Sequence, residues 1–554
     1  MQKNQFSRIV FLVLLICNVC MAGYFLSQKQ GWHIDEQYSY GHANSTSGAF
    51  LSDDIDSYFE ENETDLHHHW LDGKIFHDYL TVQNDERFIY GHIWENLQKS
   101  VHPPLFYVLL HTVCSFTPDV FSPWQAGSIN LIAFLLTLIV LYKLSRRFID
   151  NEYLAMVPVF FWGFSSIGMA TVLFLRMYML QTLFAVCLIY EIVKMIQENR
   201  ADKRRLFLVF LYSSLGILTQ YSSLIFSFIV AVVCCVVLLV RNNWKLLFWF
   251  ALIMGLSAVV LCVVFPQAVE ILFFSQRGTE ATKTADGMFK AFSDIKGLWM
   301  ALLYSRSHSH VFSIYFNELF GIAKVWDIVL FWIVIFTGAI LCRAKIKLNI
   351  AFVPLLLIVM LMTIYLSFFM PGMGVYQSRY YMLLMPMVAI ILIYYATVIF
   401  KVFKVPSVVI LAFMILGIIW QSMHMNWKQN PYSVQITPQT RQIASDVKGK
   451  KVVVSAPVYS LFDLAQVLKD ADKVYWVAKG DDAVPVLANA DYVFVANVCA
   501  ATFVPKFGRE NCFYCVPDER TFLEDNVAKK LHLIEVFRSG VHHFDVYEPV
   551  RAGM

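Results

Sequence analysis

Charge is scarce in this chain. Only 15% of its 554 residues are Asp, Glu, Lys or Arg, against 58% hydrophobic and 16% aromatic, and the mean hydropathy is +0.55. Soluble domains carry charge on roughly a quarter of their residues, so the composition excludes a soluble protein and indicates a polytopic membrane protein. The formal net charge of +3 excludes the basic footprint that nucleic-acid binding requires. No glycine-rich loop precedes a helix, so no nucleotide-phosphate cradle is expected. Cysteine gives no zinc set either: Cys499, Cys512 and Cys515 lack a fourth ligand, and a disulfide from Cys499 to Cys512 or Cys515 is expected in an oxidising compartment. Cys17, Cys20, Cys187, Cys234, Cys235, Cys262 and Cys342 lie in or beside apolar segments and are expected to be small buried hydrophobes.

What is abundant is apolar length. A membrane crossing takes about 20 apolar residues, and eleven candidate spans follow: 8–26, 124–143, 153–173, 177–196, 206–220, 222–240, 246–265, 325–342, 349–370, 380–399 and 406–424. No clear small-residue cleavage site precedes Asp35, so the first segment is read as an uncleaved helix. Lys3 and Arg8, Lys143/Arg146/Arg147, Lys194/Arg200/Lys203/Arg204/Arg205, Arg241/Lys245, Arg343/Lys345/Lys347 and Lys401/Lys404 all fall on one side if the N-terminus is cytoplasmic. The expected topology is a multi-pass protein of the cell membrane, with its C-terminal region periplasmic or extracellular. Residues 27–123 and 266–324 are then outer loops. Two spans must fit in residues 206–240, so a break is expected at Thr219-Gln220-Tyr221.

The division expected is a transmembrane unit over 1–424 and a soluble outer unit over 425–554. The latter alternates strand-like runs (Lys451 to Ser455, Lys473 to Ala478, Asp491 to Ala496) with a helical run (Leu461 to Leu468), which suggests a small α/β domain.

The polar residues gather at one face. Asp35 and Glu36 follow the first span by about eight residues, near lipid headgroups. His102-Pro103-Pro104 is expected to start a short helix with proline in its first turn. Arg176-Met177-Tyr178 sits where the third span hands over to the fourth, and Ser378-Arg379-Tyr380-Tyr381 opens the tenth.

These features resemble the family 39 and 83 branch of the GT-C glycosyltransferases, which includes protein O-mannosyltransferases and lipid A aminoarabinose transferases. The matching residues are Asp35-Glu36, VHPPLFYVLLH at 101–111, LYKLSRRF at 141–148, RMY at 176–178, LTQY at 218–221 and RYYMLLMP at 379–386, in order across roughly residues 8–400. Phe174 departs from the family, where many relatives carry an acid two positions before the Arg of Arg-Met-Tyr. Gln220 departs where they often have His, and the stretch from Asp35 to His102 is long. The resemblance implies a mainly α, GT-C-type helix bundle with interfacial helices in its first outer loop. It also implies inverting transfer of a sugar from a polyprenyl-phosphate donor to a hydroxyl of a glycan, lipid or protein acceptor.

The chemistry suits the residues. Phosphate is a good leaving group, so the reaction needs a carboxylate base and fixed cations. Asp35, with Glu36 behind it, is the candidate base. Arg176 and Arg379 are candidate phosphate ligands because their planar forks grip phosphate bidentately. Tyr178, Tyr380, His102, Gln220 and Tyr221 are candidate donor-binding residues.

Blander readings compete with these. The acids could merely cap a helix, the arginines could snorkel to headgroups, and the tyrosines could belong to an interfacial belt. His67-His68-His69 with Asp65, Asp72 and His77, and Asp53-Asp54-Ile55-Asp56, superficially suggest a divalent metal. Adjacent histidines rarely aim at one ion, so no cofactor is expected. A transporter or flippase would be expected to place polar groups near the midplane. A non-catalytic envelope assembly protein would tolerate loss of Asp35.

Overall fold

The computed structural model describes residues 2–29, 31–51, 70–100, 102–274, 348–372, 378–424, 438–455, 464–477, 489–496, 531–539 and 542–549. Helix α1 (Gln2–Ser27) is followed in the first loop by α2 (Ile34–Asn44), a two-residue strand β1 (Leu71–Asp72), α3 (Lys74–Leu80), α4 (Gly91–Gln98) and α5 (Leu105–Ser115). The bundle continues with α6 (Pro123–Ser145), α7 (Glu152–Gly163), α8 (Ser166–Leu173), α9 (Tyr178–Glu198), α10 (Lys203–Thr219), α11 (Ser222–Val240), α12 (Trp244–Val264) and α13 (Ala268–Phe274). Beyond it lie α14 (Phe352–Gly372), a 3₁₀ turn (Ser378–Leu384), α15 (Met385–Val402) and α16 (Ser407–His424).

Six of the described helices are long and apolar enough to cross a membrane, or seven if α7 and α8 count as one bent span. The chain is thus a mainly helical, multi-pass membrane protein. The described residues do not establish eleven crossings. Helix α10 has 17 residues, the described apolar parts of α14 and α16 are also short, and the expected span 325–342 lies outside the described residues. Helix α9 is the most deeply buried of the long apolar helices, whereas α1 and α12 turn much of their surface outward.

Caps explain where several helices start. Ser122 accepts the Trp124 N–H while Gln125 Oε1 accepts the Ser122 N–H, and Pro123 occupies the first turn, so α6 begins with a capping box. Asn151 and Asp202 cap α7 and α10 through their side-chain oxygens alone, without a reciprocal bond. The expected break at Gln220 is present: its backbone is extended between α10 and α11.

The structure corrects four expectations. The span 153–173 is not continuous, because it bends by 57° between α7 and α8. Ser165 caps α8 by accepting the Gly168 N–H, and Gly163 lets Asn18 of α1 press in, since a Cβ there would lie 2.4 Å from Asn18 Oδ1. Next, α5 begins at Leu105, after both prolines, and Pro104 serves as its cap position. Within the run Leu461 to Leu468, Leu464 is a turn and α18 starts only at Ala465 (Ala465–Leu468), while residues 461–463 lie outside the described residues. Finally, Cys17, Cys20 and Cys262 are exposed, because they face outward from apolar helices whose outer surface meets hydrocarbon, while Cys187 and Cys234 are buried. Cys342, Cys499, Cys512 and Cys515 lie outside the described residues.

Helix α17 (Pro438–Asp446) leads into a six-stranded sheet. Strands β2 (Lys451–Ser455), β3 (Lys473–Val477) and β4 (Tyr492–Ala496) are parallel, with β2 central, and β5 (Leu531–Ser539) with β6 (His542–Pro549) forms an antiparallel hairpin beside β4. The order is β1-β3-β2-β4-β6-β5. A strand from the first loop therefore completes a sheet otherwise built from the C-terminal region, and Leu71 lies opposite Val474 in antiparallel register.

Candidate active site

The site grows from the first turn of α2. His33 Nδ1 accepts the Asp35 N–H at 3.1 Å, and Glu36 Oε2 accepts the His33 N–H at 2.8 Å, so the two side chains close a capping box. Glu36 is completely buried. Its other oxygen accepts the Leu175 N–H at 2.9 Å and pairs with Lys29 Nζ at 3.0 Å. Burial raises the Glu36 carboxyl and lowers the Lys29 ammonium from their ordinary values, each partly opposed by its partner.

Asp35 points elsewhere. Its Oδ2 is shared by the guanidiniums of Arg176, at 3.1 Å, and Arg379. Burial alone would push the Asp35 carboxyl upward, but the adjacent arginines outweigh it and hold the group well below the usual carboxylate range. Two guanidiniums against one carboxylate leave one positive charge over. The flanking His33 adds no charge: burial lowers it to about 4, so it is neutral near pH 7.

Arg176 lies in the break between α8 and α9, where the backbone is held from two sides. Asn130 of α6 donates to the carbonyls of Val172 and Phe174, both at 2.9 Å, while Glu36 takes the Leu175 N–H. The Arg176 side chain is 5% exposed and that of Arg379 is 14% exposed. Both turn to Asp35 and do not snorkel to headgroups. Arg176 also donates to His102 Nε2 at 2.8 Å and hydrogen bonds to the Tyr107 hydroxyl, which Ser39 contacts as well. Arg379 enters from the 3₁₀ turn, its guanidinium 5.2 Å from the Tyr380 ring centroid. Phe174, at the position where relatives often carry an acid, stacks on Tyr178 at 5.4 Å and meets the His33 ring edge-on at 5.4 Å.

Of the residues singled out in the sequence, Asp35, Arg176, Arg379 and His102 thus form one connected cluster, with Tyr178 and Tyr380 beside it. Glu36 anchors the cluster from behind. Gln220 and Tyr221 stand one layer away: Gln220 Oε1 accepts the N–H of Tyr221, whose buried hydroxyl has no hydrogen-bond partner among the described residues. Gln181 ties the two layers by donating to Ser222 and Ser223 at the start of α11.

Sequence reasoning missed Lys29, His33, Tyr107 and Asn130. His33 carried a signal, because His-x-x-Glu mimics the spacing of a capping box, and Asn130 is a lone amide in an apolar run. Lys29 carried none.

Among the described residues no group of three or more His, Cys, Asp or Glu side chains is placed to hold a metal. Asp72 lies in β1 near Lys473, and His77 contacts Asp78 and the Asp119 carbonyl. His67, His68, His69, Asp65, Asp53, Asp54 and Asp56 lie outside the described residues.

No protein-family model matches the chain, and no curated protein matches it. Solved structures do. ArnT from Cupriavidus metallidurans bound to undecaprenyl phosphate is 12% identical with a TM-score of 0.48, the match covering 97% of each chain. The apo state of the same protein is 12% identical with a TM-score of 0.49 over 98% of each. The archaeal oligosaccharyltransferase AglB from Archaeoglobus fulgidus, in complex with an inhibitory peptide and a dolichol-phosphate, is 11% identical with a TM-score of 0.49 over 88% of this chain and 70% of its own.

Proposed function

We propose that this protein is a GT-C-type membrane glycosyltransferase that moves a sugar from a polyprenyl-phosphate donor to an acceptor hydroxyl at the outer membrane face, with inversion. The supporting observation is the carboxylate of Asp35 held between Arg176 and Arg379, residues from three distant parts of the chain. A surplus positive charge in a buried cluster attracts a phosphate, and two planar forks suit its oxygens.

The donor phosphate competes with Asp35 for the two guanidiniums. Once they turn to phosphate, the carboxylate loses the field that makes it a weak base. Asp35 then takes the proton of the acceptor hydroxyl, whose oxygen attacks the anomeric carbon. The carbon–oxygen bond to phosphate breaks with its electrons going to the phosphate, and Arg176 and Arg379 stabilise that charge. His102, hydrogen bonded to Arg176, orients the fork. Glu36 is a positioning residue: it fixes α2 against residue 175. Tyr178 and Tyr380 flank the phosphate site, and Gln220 and Tyr221 shape its far wall. Protein cations perform the charge stabilisation, with no metal in the cycle.

The test is Asp35→Asn in nanodiscs, assayed with a panel of polyprenyl-phosphate sugars. Removing the competing anion should leave binding of a polyprenyl phosphate intact or tighter, while turnover falls by about two orders of magnitude. Undiminished turnover would refute the assignment.

A further inference from the structure

The helix that carries Asp35 also touches α18, the short helix between β2 and β3 of the C-terminal sheet, at a residue two positions further on. Gln37 is buried, and its Oε1 accepts the backbone N–H of Gln466 at 3.1 Å. Gln466 lies in the first turn of α18, whose cap position is Leu464, a residue with no side-chain acceptor. The first N–H groups of a helix have no partner inside it and need one from elsewhere. Gln37 supplies it from another part of the chain, 429 residues away in sequence.

The rest of the contact is built to hold α18 there. Leu464, Ala465 and Leu468 are fully buried. Strand β1 pairs with β3 on the edge of the sheet, and the Gly73 N–H donates to the Asp472 carbonyl at 3.3 Å. Gly73 itself leaves no room for a side chain, since a Cβ would lie 1.9 Å from the carbonyl oxygen of Ala471. The opposite end of α2 is equally constrained: the Tyr40 hydroxyl donates to the Ser122 carbonyl at 2.6 Å, and Asn44 donates to the Leu80 carbonyl at 3.0 Å.

We infer that Gln37 is a positioning residue through which the docked C-terminal sheet sets the placement of the first turn of α2, and with it the Asp35 carboxylate. The inference rests on the proposed role of Asp35 as the acceptor base. Docking of the sheet and alignment of the base are then one event, so a sheet that leaves α2 leaves the base misaligned while the phosphate site stays intact.

The experiment compares Gln37→Leu, an apolar side chain one heavy atom smaller that lacks the acceptor oxygen, with Gln37→Glu, which keeps it. Gly73→Ala is the second route, because its Cβ collides with the Ala471 carbonyl and pushes on the sheet without changing any residue of α2. Three quantities are read on the full chain in nanodiscs: hydrogen exchange over residues 464–468, affinity for a polyprenyl phosphate, and turnover. Gln37→Leu and Gly73→Ala should lose exchange protection at 464–468 and lower turnover by about tenfold, as a sub-ångström misalignment does, with phosphate affinity unchanged. Gln37→Glu should restore both. Retained protection in Gln37→Leu would overturn the docking, retained turnover with lost protection would overturn the coupling, and a matching loss of phosphate affinity would show general disruption of the site. Absence of transfer by the unmodified chain counts against the proposed reaction alone, because the exchange arm reads docking without turnover.

Discussion

At Asp35 and His33, burial and local charge act on neighbouring groups in separable pH windows. His33 sits at about 4 in the folded protein because burial disfavours the imidazolium, with Arg379, Arg176 and Lys29 adding to the effect against Asp35. Its unfolded value is near 6.5. Between those limits the unfolded chain binds a proton that the folded chain refuses, so stability falls as pH drops from about 6.5 to about 4. Asp35 acts lower: its depressed folded value means that its contribution is present above the ordinary carboxylate value near 4 and is lost as pH falls further. Replacing His33 by Asn keeps a good helix cap and removes the titration. His33→Asn should therefore flatten the decline in unfolding temperature between pH 6.5 and 4 and leave the decline below pH 4 in place. An unchanged profile in thermal unfolding would show that His33 is not the group responsible.

The element that matters most is the interrupted segment from α8 to α9. A continuous helix would have pointed residue 176 along its own surface; the break instead turns Arg176 onto Asp35. Its cost is two carbonyls with no partner inside a helix; Asn130 donates to both, and the Phe174 carbonyl also accepts the Arg176 N–H. Asn130→Leu keeps the number of side-chain heavy atoms and removes both hydrogen bonds; the Phe174 carbonyl retains the Arg176 N–H, while the Val172 carbonyl loses its amide donor, and an unsatisfied buried carbonyl costs about 1–3 kcal/mol. The expected loss is about 1–3 kcal/mol of stability, together with weaker polyprenyl-phosphate binding because Arg176 is released. Unaltered binding in a destabilised variant would separate the break from the phosphate site.

Over the whole molecule, two charged poles face opposite ends of α9. The cluster around Asp35 is at its start, and Arg205, Glu198 and Arg147 form an ion-pair network at its end. Twenty-one residues of helix separate the poles by roughly 30 Å, the thickness of a hydrocarbon core. The basic loops at 143–147 and 194–205 belong to the second pole, so the inside-positive bias predicts that the Asp35 cluster and the sheet are outside. Reporters fused near residue 200 and after the sheet should label opposite sides of the membrane, and matching labels would refute the orientation.

Apolar length, basic loops and strand-like runs are properties of local stretches, and so the helical class, the handover at Arg176, the break at Gln220 and three strands of the C-terminal sheet were legible in the sequence, though not their parallel pairing. Residue type also made Asp35, Arg176 and Arg379 stand out, because charge in so apolar a chain needs a reason. What tertiary structure decided is which of two adjacent acids does what. Asp35 and Glu36 are neighbours on one helical turn, and the His33-x-x-Glu36 spacing marks Glu36 only as a cap; the folded positions of Lys29, Leu175, Arg176 and Arg379 send one acid to the arginine cluster and the other into the scaffold. The same holds for β1 and for Gln37, whose partners lie about 400 residues further along the chain. A two-residue strand has no periodicity of its own, and an amide that caps a distant helix carries no mark of it in sequence. Partners so far apart are set by how the chain packs, which local pattern does not encode.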